Sequence, residues 1–288
     1  MHSTRWRSIV SAAWFFFFAK PVFAQLLPGA DVTIATQSVW RGLTRVSDPV
    51  LQPSAYLALG IGTGFLSAGV WADYEFGTGP GDYSLAGIGK ADIGSVEAWV
   101  EYAARQSLFD WKAGYVRSRL RNDMRIHGVP PELATSELYL GVTSRRLPVV
   151  ASLTAWQDVD ELQGRYFLLD VAYPLPTNPL GEIAGSIFAG ARAGLANGLE
   201  RDSDHADRPY YFEESGLSHA ELYLEWSFEL PVSWLPLDLF LSPHYEFAID
   251  EAAQRRSPDP LVARRKRFFW FELAASLRFE LAGSSTSS

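Results

Sequence analysis

The sequence predicts an all-β protein, a transmembrane up-and-down antiparallel β-barrel of about twelve strands. Three observations lead there. Apolar and polar residues alternate with period two across 31–281, the mark of strands with one apolar face. The apolar runs last about ten residues in strand after strand, long enough to cross a bilayer when tilted, whereas soluble strands run about five or six. Finally, short and long connections take turns along the chain, with an even strand count, as in outer-membrane barrels.

Composition agrees with this class. The chain has 288 residues, 48% hydrophobic, 14% aromatic and 20% charged, with 23 glycines, 17 prolines, 10 tryptophans and 12 tyrosines. That mixture favours strands and turns over helices. Past the first two dozen residues no unbroken apolar stretch reaches the roughly 18 residues of a membrane helix, which excludes a multi-span helical protein. There is no cysteine, so disulfides, thiolate metal sites, cysteine nucleophiles and a lipidated cysteine are excluded.

Residues 1–24 read as a secretory signal peptide. Arg5 and Arg7 form a basic start, Ile9 to Ala19 an apolar centre with four consecutive phenylalanines, and Val22-Phe23-Ala24 a cleavage site before Gln25. The expectation is export to a bacterial outer membrane, with 25–288 as a single barrel domain. Loss of Arg5, Arg7 and Lys20 with the signal takes the net charge from −8 to −11. An exported, acidic chain with few clustered bases points away from nucleic acid.

Strands are expected near 31–42, 49–60, 65–76, 92–105, 109–118, 135–143, 149–159, 164–173, 185–195, 218–230, 237–250 and 267–281. The last is the clearest: Phe269, Phe271, Leu273, Ala275, Leu277, Phe279 and Leu281 share one face, and Trp270, Glu272, Ala274, Ser276, Arg278 and Glu280 the other. A helix, with period 3.6, would scramble both sets. Short connections at 60–64, 106–108, 144–148, 174–184 and 231–236 fall on one end, expected to be periplasmic with both termini. The other end carries the longer 77–91, 119–134, 196–217 and 251–266, with the short 43–48 and 160–163.

Alternation alone leaves open whether the apolar face meets lipid or a core, since a soluble sandwich or lipocalin-like barrel alternates as well. The other face argues for lipid outside and a wet lumen within. It mixes the large aromatics Trp71, Trp99, Trp156 and Trp270 with charge. The apolar face ends in Tyr74, Phe76, Tyr102, Tyr115, Tyr173, Trp226 and Phe228, as an interfacial girdle requires.

Ser38-Val39-Trp40-Arg41-Gly42-Leu43-Thr44, then Asp48-Pro49-Val50-Leu51-Gln52-Pro53 and Gly69-Val70-Trp71-Ala72, resemble the start of the TorF-type porin family. The resemblance covers about 45 residues and departs from the family pattern at Pro53, at Asp73-Tyr74 and after Phe279, where Glu280, Leu281 and a seven-residue tail (282–288) follow an aromatic that commonly ends such barrels. It implies a barrel and a pore, with no substrate and no catalytic residue.

The polar face is unbalanced in charge. It carries Asp73, Glu75, Glu97, Glu101, Glu137, Asp158, Asp170, Glu221, Glu225, Glu246 and Glu272, opposed by Arg41, Lys112, Arg192 and Arg278. If this face lines an open lumen, its field concentrates cations; the alternative is a closed interior of paired charges. The four tryptophans either set the bore or offer a stacking surface. At the last long loop, Arg264, Arg265, Lys266 and Arg267 would meet lipopolysaccharide phosphates, or form a solvated loop. The 202–207 cluster of Asp, Ser and His lacks the glycine and distal glutamate of a calcium loop, and no metal or other cofactor is expected.

Lipid-modifying enzymes also use barrels, and their chemistry needs a serine and histidine side by side. Ser203 and His205 are the nearest such pair; strict alternation puts Ser218 and His219 on opposite faces. The expected function is therefore a non-enzymatic porin-like channel for small solutes, probed against two alternatives: a non-conducting structural or surface-binding barrel, and a lipid-modifying enzyme. Expected partners are outer-membrane lipid and lipopolysaccharide, the barrel-assembly machinery and small-molecule solutes; the oligomeric state is left open.

Overall fold

A strand in lipid has no water to satisfy its backbone, so a spanning sheet must close on itself. The computed structural model, which describes residues 26–46, 49–75, 92–121, 132–144, 147–160, 162–176, 185–199, 212, 215–229, 237–249 and 267–278, does so. In chain order the strands are β1 (Leu26–Ala35), β2 (Ser38–Trp40), β3 (Leu43–Val46), β4 (Val50–Ile61), β5 (Gly64–Glu75), β6 (Asp92–Arg105), β7 (Phe109–Arg121), β8 (Glu132–Ser144), β9 (Val150–Asp158), β10 (Arg165–Leu175), β11 (Gly185–Asn197), β12 (Gly216–Glu229), β13 (Leu237–Ala248) and β14 (Arg267–Arg278). Twelve of them form a closed antiparallel barrel, each paired with its sequence neighbour, while β2 and β3 form a separate two-stranded hairpin. β1 closes the ring, pairing with β4 from Leu26↔Leu59 to Ala35↔Val50 and with β14 from Gly29↔Arg278 to Ala35↔Glu272.

Eleven barrel strands lie within three residues of the positions expected from alternation. The exception is the first. The segment 31–42 is not one strand: β1 ends at Ala35, and 38–46, expected as the strand's end and an outer loop, is a hairpin of its own. Thr36 makes the break. Its N–H donates to the Phe271 carbonyl (3.0 Å) and its hydroxyl accepts from the Phe271 N–H (3.1 Å). That completes the seam with β14 and frees the chain to turn.

The outer surface is the apolar one. Leu57, Val70, Leu138, Leu140, Leu153, Leu222, Leu224, Phe269 and Leu273 are all about half exposed, from strands all round the barrel. An apolar surface this continuous is covered by lipid rather than water. Aromatic pairs gather towards the strand ends: Tyr102 with Trp111 and Trp226 with Phe228 at the short-turn end, Tyr245 with Phe247 and Phe269 with Phe271 at the other. The side chains that a soluble protein would bury in a core thus face outward, and charged ones such as Glu137, Asp170 and Arg192 face the lumen.

Leu138 lies mid-strand on the outer face of β8. Leu138→Arg is expected to destabilise the barrel by about 2–4 kcal/mol, the cost of a cation near the bilayer midplane, read from urea unfolding in lipid vesicles.

Candidate functional site

The site is built by the hairpin. Between Trp40 and Leu43 the chain reverses through two residues only, Arg41 and Gly42, both with positive φ (53° and 81°), the twist that a two-residue hairpin prefers. Position 42 must be glycine: a Cβ there would lie 2.5 Å from His219 Cβ and Cγ on β12. Arg41 pays the left-handed penalty of about 1–2 kcal/mol, and its side chain offsets it. The guanidinium grips Glu137 of β8 with two parallel bonds, Nη1 to Oε1 at 2.8 Å and Nη2 to Oε2 at 2.6 Å. Its Cζ also sits over the rings of Trp40 (4.3 Å), Tyr166 (4.5 Å) and Trp156 (5.1 Å). Ser38 adds a bond to Asp73 of β5 at 2.7 Å.

The hairpin thus lies inside the barrel, at the end of the long connections. Leu43 packs there into an apolar cluster with Leu162, Tyr166, Leu199, Phe212 and Trp270, among others. Described loop residues and the hairpin together form an apolar cluster inside that mouth, with Phe212 wholly buried.

Beneath the tip lies a cavity of about 400 Å³, whose lining includes Arg41, Glu137, Trp156, Arg192, Glu221 and Glu246. One charged network runs along its wall. Arg192 donates through Nε to Asp170 (2.9 Å) and through Nη1 to Glu221 (3.3 Å), and Tyr223 donates to Asp170 at 2.7 Å. His244 contacts Glu221 at 2.5 Å through Nδ1, as the donor if the carboxylate is ionised. Its Nε2 faces Glu272 at 3.6 Å, while the ring stacks on Trp270 with centroids 3.9 Å apart. Further towards the short turns the lumen is wetter. Lys112, 46% exposed, pairs loosely with Glu101 at 3.6 Å, against 8% for Arg41; Tyr139 donates to the same Glu101 at 2.9 Å.

Of the acids expected on the inner wall, three hold structure together. Asp73 and Glu137 anchor the hairpin. Asp158 fixes the turn after β9, its Oδ1 accepting from the backbone N–H groups of Asp160, Leu162 and Gln163 and its Oδ2 from the Thr135 hydroxyl. Glu101, Asp170, Glu221 and Glu272 belong to the charged networks, and Glu97, Glu225 and Glu246 stand at inward positions of β6, β12 and β13. Lys112 and Arg192 are wall residues. Arg41, read as part of an opposing wall, is instead the tip of the inserted hairpin, because the chain leaves the sheet at Thr36. Trp156 and Trp270 line the cavity; Trp71 and Trp99 face inward on β5 and β6, Trp99 lying 6.3 Å from Tyr56.

Strict alternation fails at Ser218. The pairing slips there, from Gly194↔His219 to Leu195↔Leu217, and the bulge brings the Ser218 hydroxyl to 3.1 Å from its neighbour His219 Nδ1 while it donates to the Gly194 carbonyl (3.1 Å). Both residues are buried, so the pair reads as a bulge lock. The side chains of Glu75 and Arg278 lie outside the described residues, as do Arg264, Arg265, Lys266, His127 and the 202–207 cluster with Ser203 and His205. Arg267 lies over the Phe247 ring at 5.7 Å. Among the described residues no group of three or more His, Asp or Glu is placed to hold a metal ion. Tyr166 was not singled out by the sequence, yet it touches Arg41, Trp156 and His219; its inward parity with Asp170 was the available signal.

No family model matches the chain, and no curated protein matches it, so the TorF-type resemblance rests on its own motifs. Solved structures similar to this one include a KdgM porin (9% identical, TM-score 0.44, covering 87% of this chain and 99% of that one). LpxR from Salmonella typhimurium is also similar (9%, TM-score 0.48, 86% and 99%). So is outer membrane phospholipase A from Escherichia coli (11%, TM-score 0.41, 91% and 92%).

Arg41→Ala leaves the Glu137 carboxylate buried without its cation, a loss of about 3–5 kcal/mol for a broken buried pair. Hydrogen exchange is expected to accelerate across 38–46 while the barrel strands stay protected. Arg41→Ala/Glu137→Gln should lose less than the single change, because no charge is stranded.

Proposed function

We propose that this protein is a porin-like channel of a bacterial outer membrane, in the manner that the TorF-type resemblance implies, passing small solutes with a preference for cations. In this reading residues 1–24 are the export signal and 25–288 the single barrel domain. One observation carries it: the inner wall bears charged side chains that water reaches, Glu101, Lys112, Asp170, Arg192 and Glu272 among them. A water-filled channel has such a polar, charged interior.

The mechanism needs no catalytic residue. A solute diffuses along the lumen, and low-dielectric walls keep the field of the inner carboxylates from being screened. The inserted hairpin narrows the path, so the open channel is expected to be a small one, with Arg41 and Glu137 at its constriction.

Single-channel recording of the refolded mature chain, with a salt gradient across the bilayer, tests this. Steady steps with a cation-selective reversal potential are expected. The combined change Glu97→Gln, Glu101→Gln and Glu225→Gln should move that potential towards the non-selective value, and replacing 37–47 with a flexible Gly-Ser linker should raise conductance several-fold. A folded barrel that stays silent, with or without the hairpin, overturns the channel reading.

A further inference from the structure

We propose that the outer wall of the barrel, around the turn between β9 and β10, binds a phosphorylated glycolipid of the outer leaflet through Arg117 and Arg165. The site lies outside the lumen. It rests on the outer-membrane reading of the fold and stands whether or not the barrel conducts.

A wall that meets lipid tails carries little charge, and here the charge has one sign and one place. Among the described side chains at outward positions of the strands, the charged ones are Arg117 and Arg119 of β7, Arg165 of β10 and Arg267 of β14. All four stand at the end of the long connections, which is the outer end in barrels of this plan. An arginine there lays its stem on apolar surface and carries its head to headgroup level. Its planar fork matches phosphate oxygens.

Register gathers three of the four. Rows of paired residues climb from β7 to β10: Asp110, beside the start of β7, is linked through Thr143 and Ser152 to Asp170, in the middle of β10. Arg165, at the start of β10, is thereby raised towards the height of Arg117 and Arg119, near the end of β7. Three strand spacings separate Arg117 from Arg165, about 14 Å at the usual spacing, and two long side chains narrow that span to one disaccharide headgroup. Arg119 adds a third cation beside them.

The ground between them is fixed. Gln157 donates through Nε2 to the carbonyls of Asp158 (2.8 Å), Gln163 (3.3 Å) and Gly164 (3.2 Å). Its Oε1 accepts from Arg165 Nε at 2.7 Å. That bond orients the guanidinium, and among the described residues no carboxylate pairs with it. Arg117 is held lightly: Nη1 donates to the Ser136 hydroxyl at 3.3 Å and faces Asp160 at 3.8 Å, with 58% of its side chain exposed. The Ser136 hydroxyl donates to Asp160 at 3.4 Å and accepts from Tyr115 at 3.0 Å. An exposed ion pair at that separation is weak, so a phosphate displaces Asp160 from Arg117. Val159, Leu169 and Tyr115 are exposed on the same wall, apolar surface that suits acyl chains and favours a lipid over a free anion.

Native mass spectrometry of the refolded full chain released from detergent, with bisphosphorylated lipid A as the probe, tests the site. The barrel is expected to retain lipid A, to ignore the same lipid stripped of both phosphates, and to keep its lipid in millimolar inorganic phosphate. Arg117→Ala/Arg165→Ala should weaken retention by at least about tenfold, the loss of two charge-assisted contacts. Asp160→Asn should strengthen it by removing the competing carboxylate. Arg267→Ala takes a cation from the same rim on β14, away from the site, and should have a much smaller effect. Folding of each variant is checked by heat-modifiable mobility on gels; if the double change fails to fold, Arg165→Gln alone should weaken retention several-fold. Equal retention of the dephosphorylated lipid overturns the proposal, as does displacement by inorganic phosphate, which marks a free-anion site. Unchanged affinity in the arginine variants overturns it too, and so does an equal loss in Arg267→Ala, the mark of diffuse rim charge. A barrel that holds lipid A yet stays silent refutes the channel and spares this site; one that conducts without any preference for phosphate does the reverse.

Discussion

Everything in this structure depends on the seam between β1 and β14. A strand edge in hydrocarbon leaves a row of N–H and C=O groups unsatisfied, each at a cost of several kcal/mol, so no partly closed version of this sheet is stable in a membrane. The register from Gly29↔Arg278 to Ala35↔Glu272 removes that edge. With the ring closed, the pleat leaves each side chain two choices, lipid or lumen. The half-exposed leucines and valines take the first, and the acids of the inner wall, such as Glu137, Asp158 and Glu221, take the second.

The lumen then becomes the interior of the protein, and it is not uniform. At one mouth it is packed like an ordinary core, with Leu43, Tyr166, Leu199 and Phe212 excluding water. At the other Lys112 and Glu101 meet loosely and in solvent. Between them stands the Arg41–Glu137 pair, whose two parallel bonds and three surrounding rings hold the hairpin in place. A barrel of twelve strands is too wide for its wall residues alone to fill and too narrow for a large pore; the inserted hairpin occupies the difference.

The barrel itself was legible in the sequence because period two is a property of the strand and survives every local irregularity. Strands such as 92–105 and 237–250 lie where alternation puts them. The hairpin was not legible. Its residues are extended too, so Ser38 to Gly42 continues the rhythm of Asp31 to Ala35, and nothing in the composition of Thr36-Gln37 announces that the chain leaves the sheet. The bulge at Ser218 escaped for the opposite reason: one extra residue shifts facing without altering the pattern on either side, and only the partner strand, through Gly194, reveals it. The inner carboxylates with described side chains were readable as inward. Their division into those that anchor, such as Asp73, Glu137 and Asp158, and those that face the cavity depends on contacts between residues far apart in sequence, which no single strand records.

The anchors of the hairpin carry a consequence for the order of assembly. Arg41 follows the first barrel strand, yet its carboxylate partner is 96 positions further on, and the ring and imidazole that flank the tip come from Tyr166 and His219, later still. None of these exists as a surface until most of the barrel has been laid down. The segment that joins the first two wall strands is therefore made early and seated late. Its docking waits on β8, β10 and β12, which supply the Glu137 carboxylate, the Tyr166 ring and the His219 imidazole.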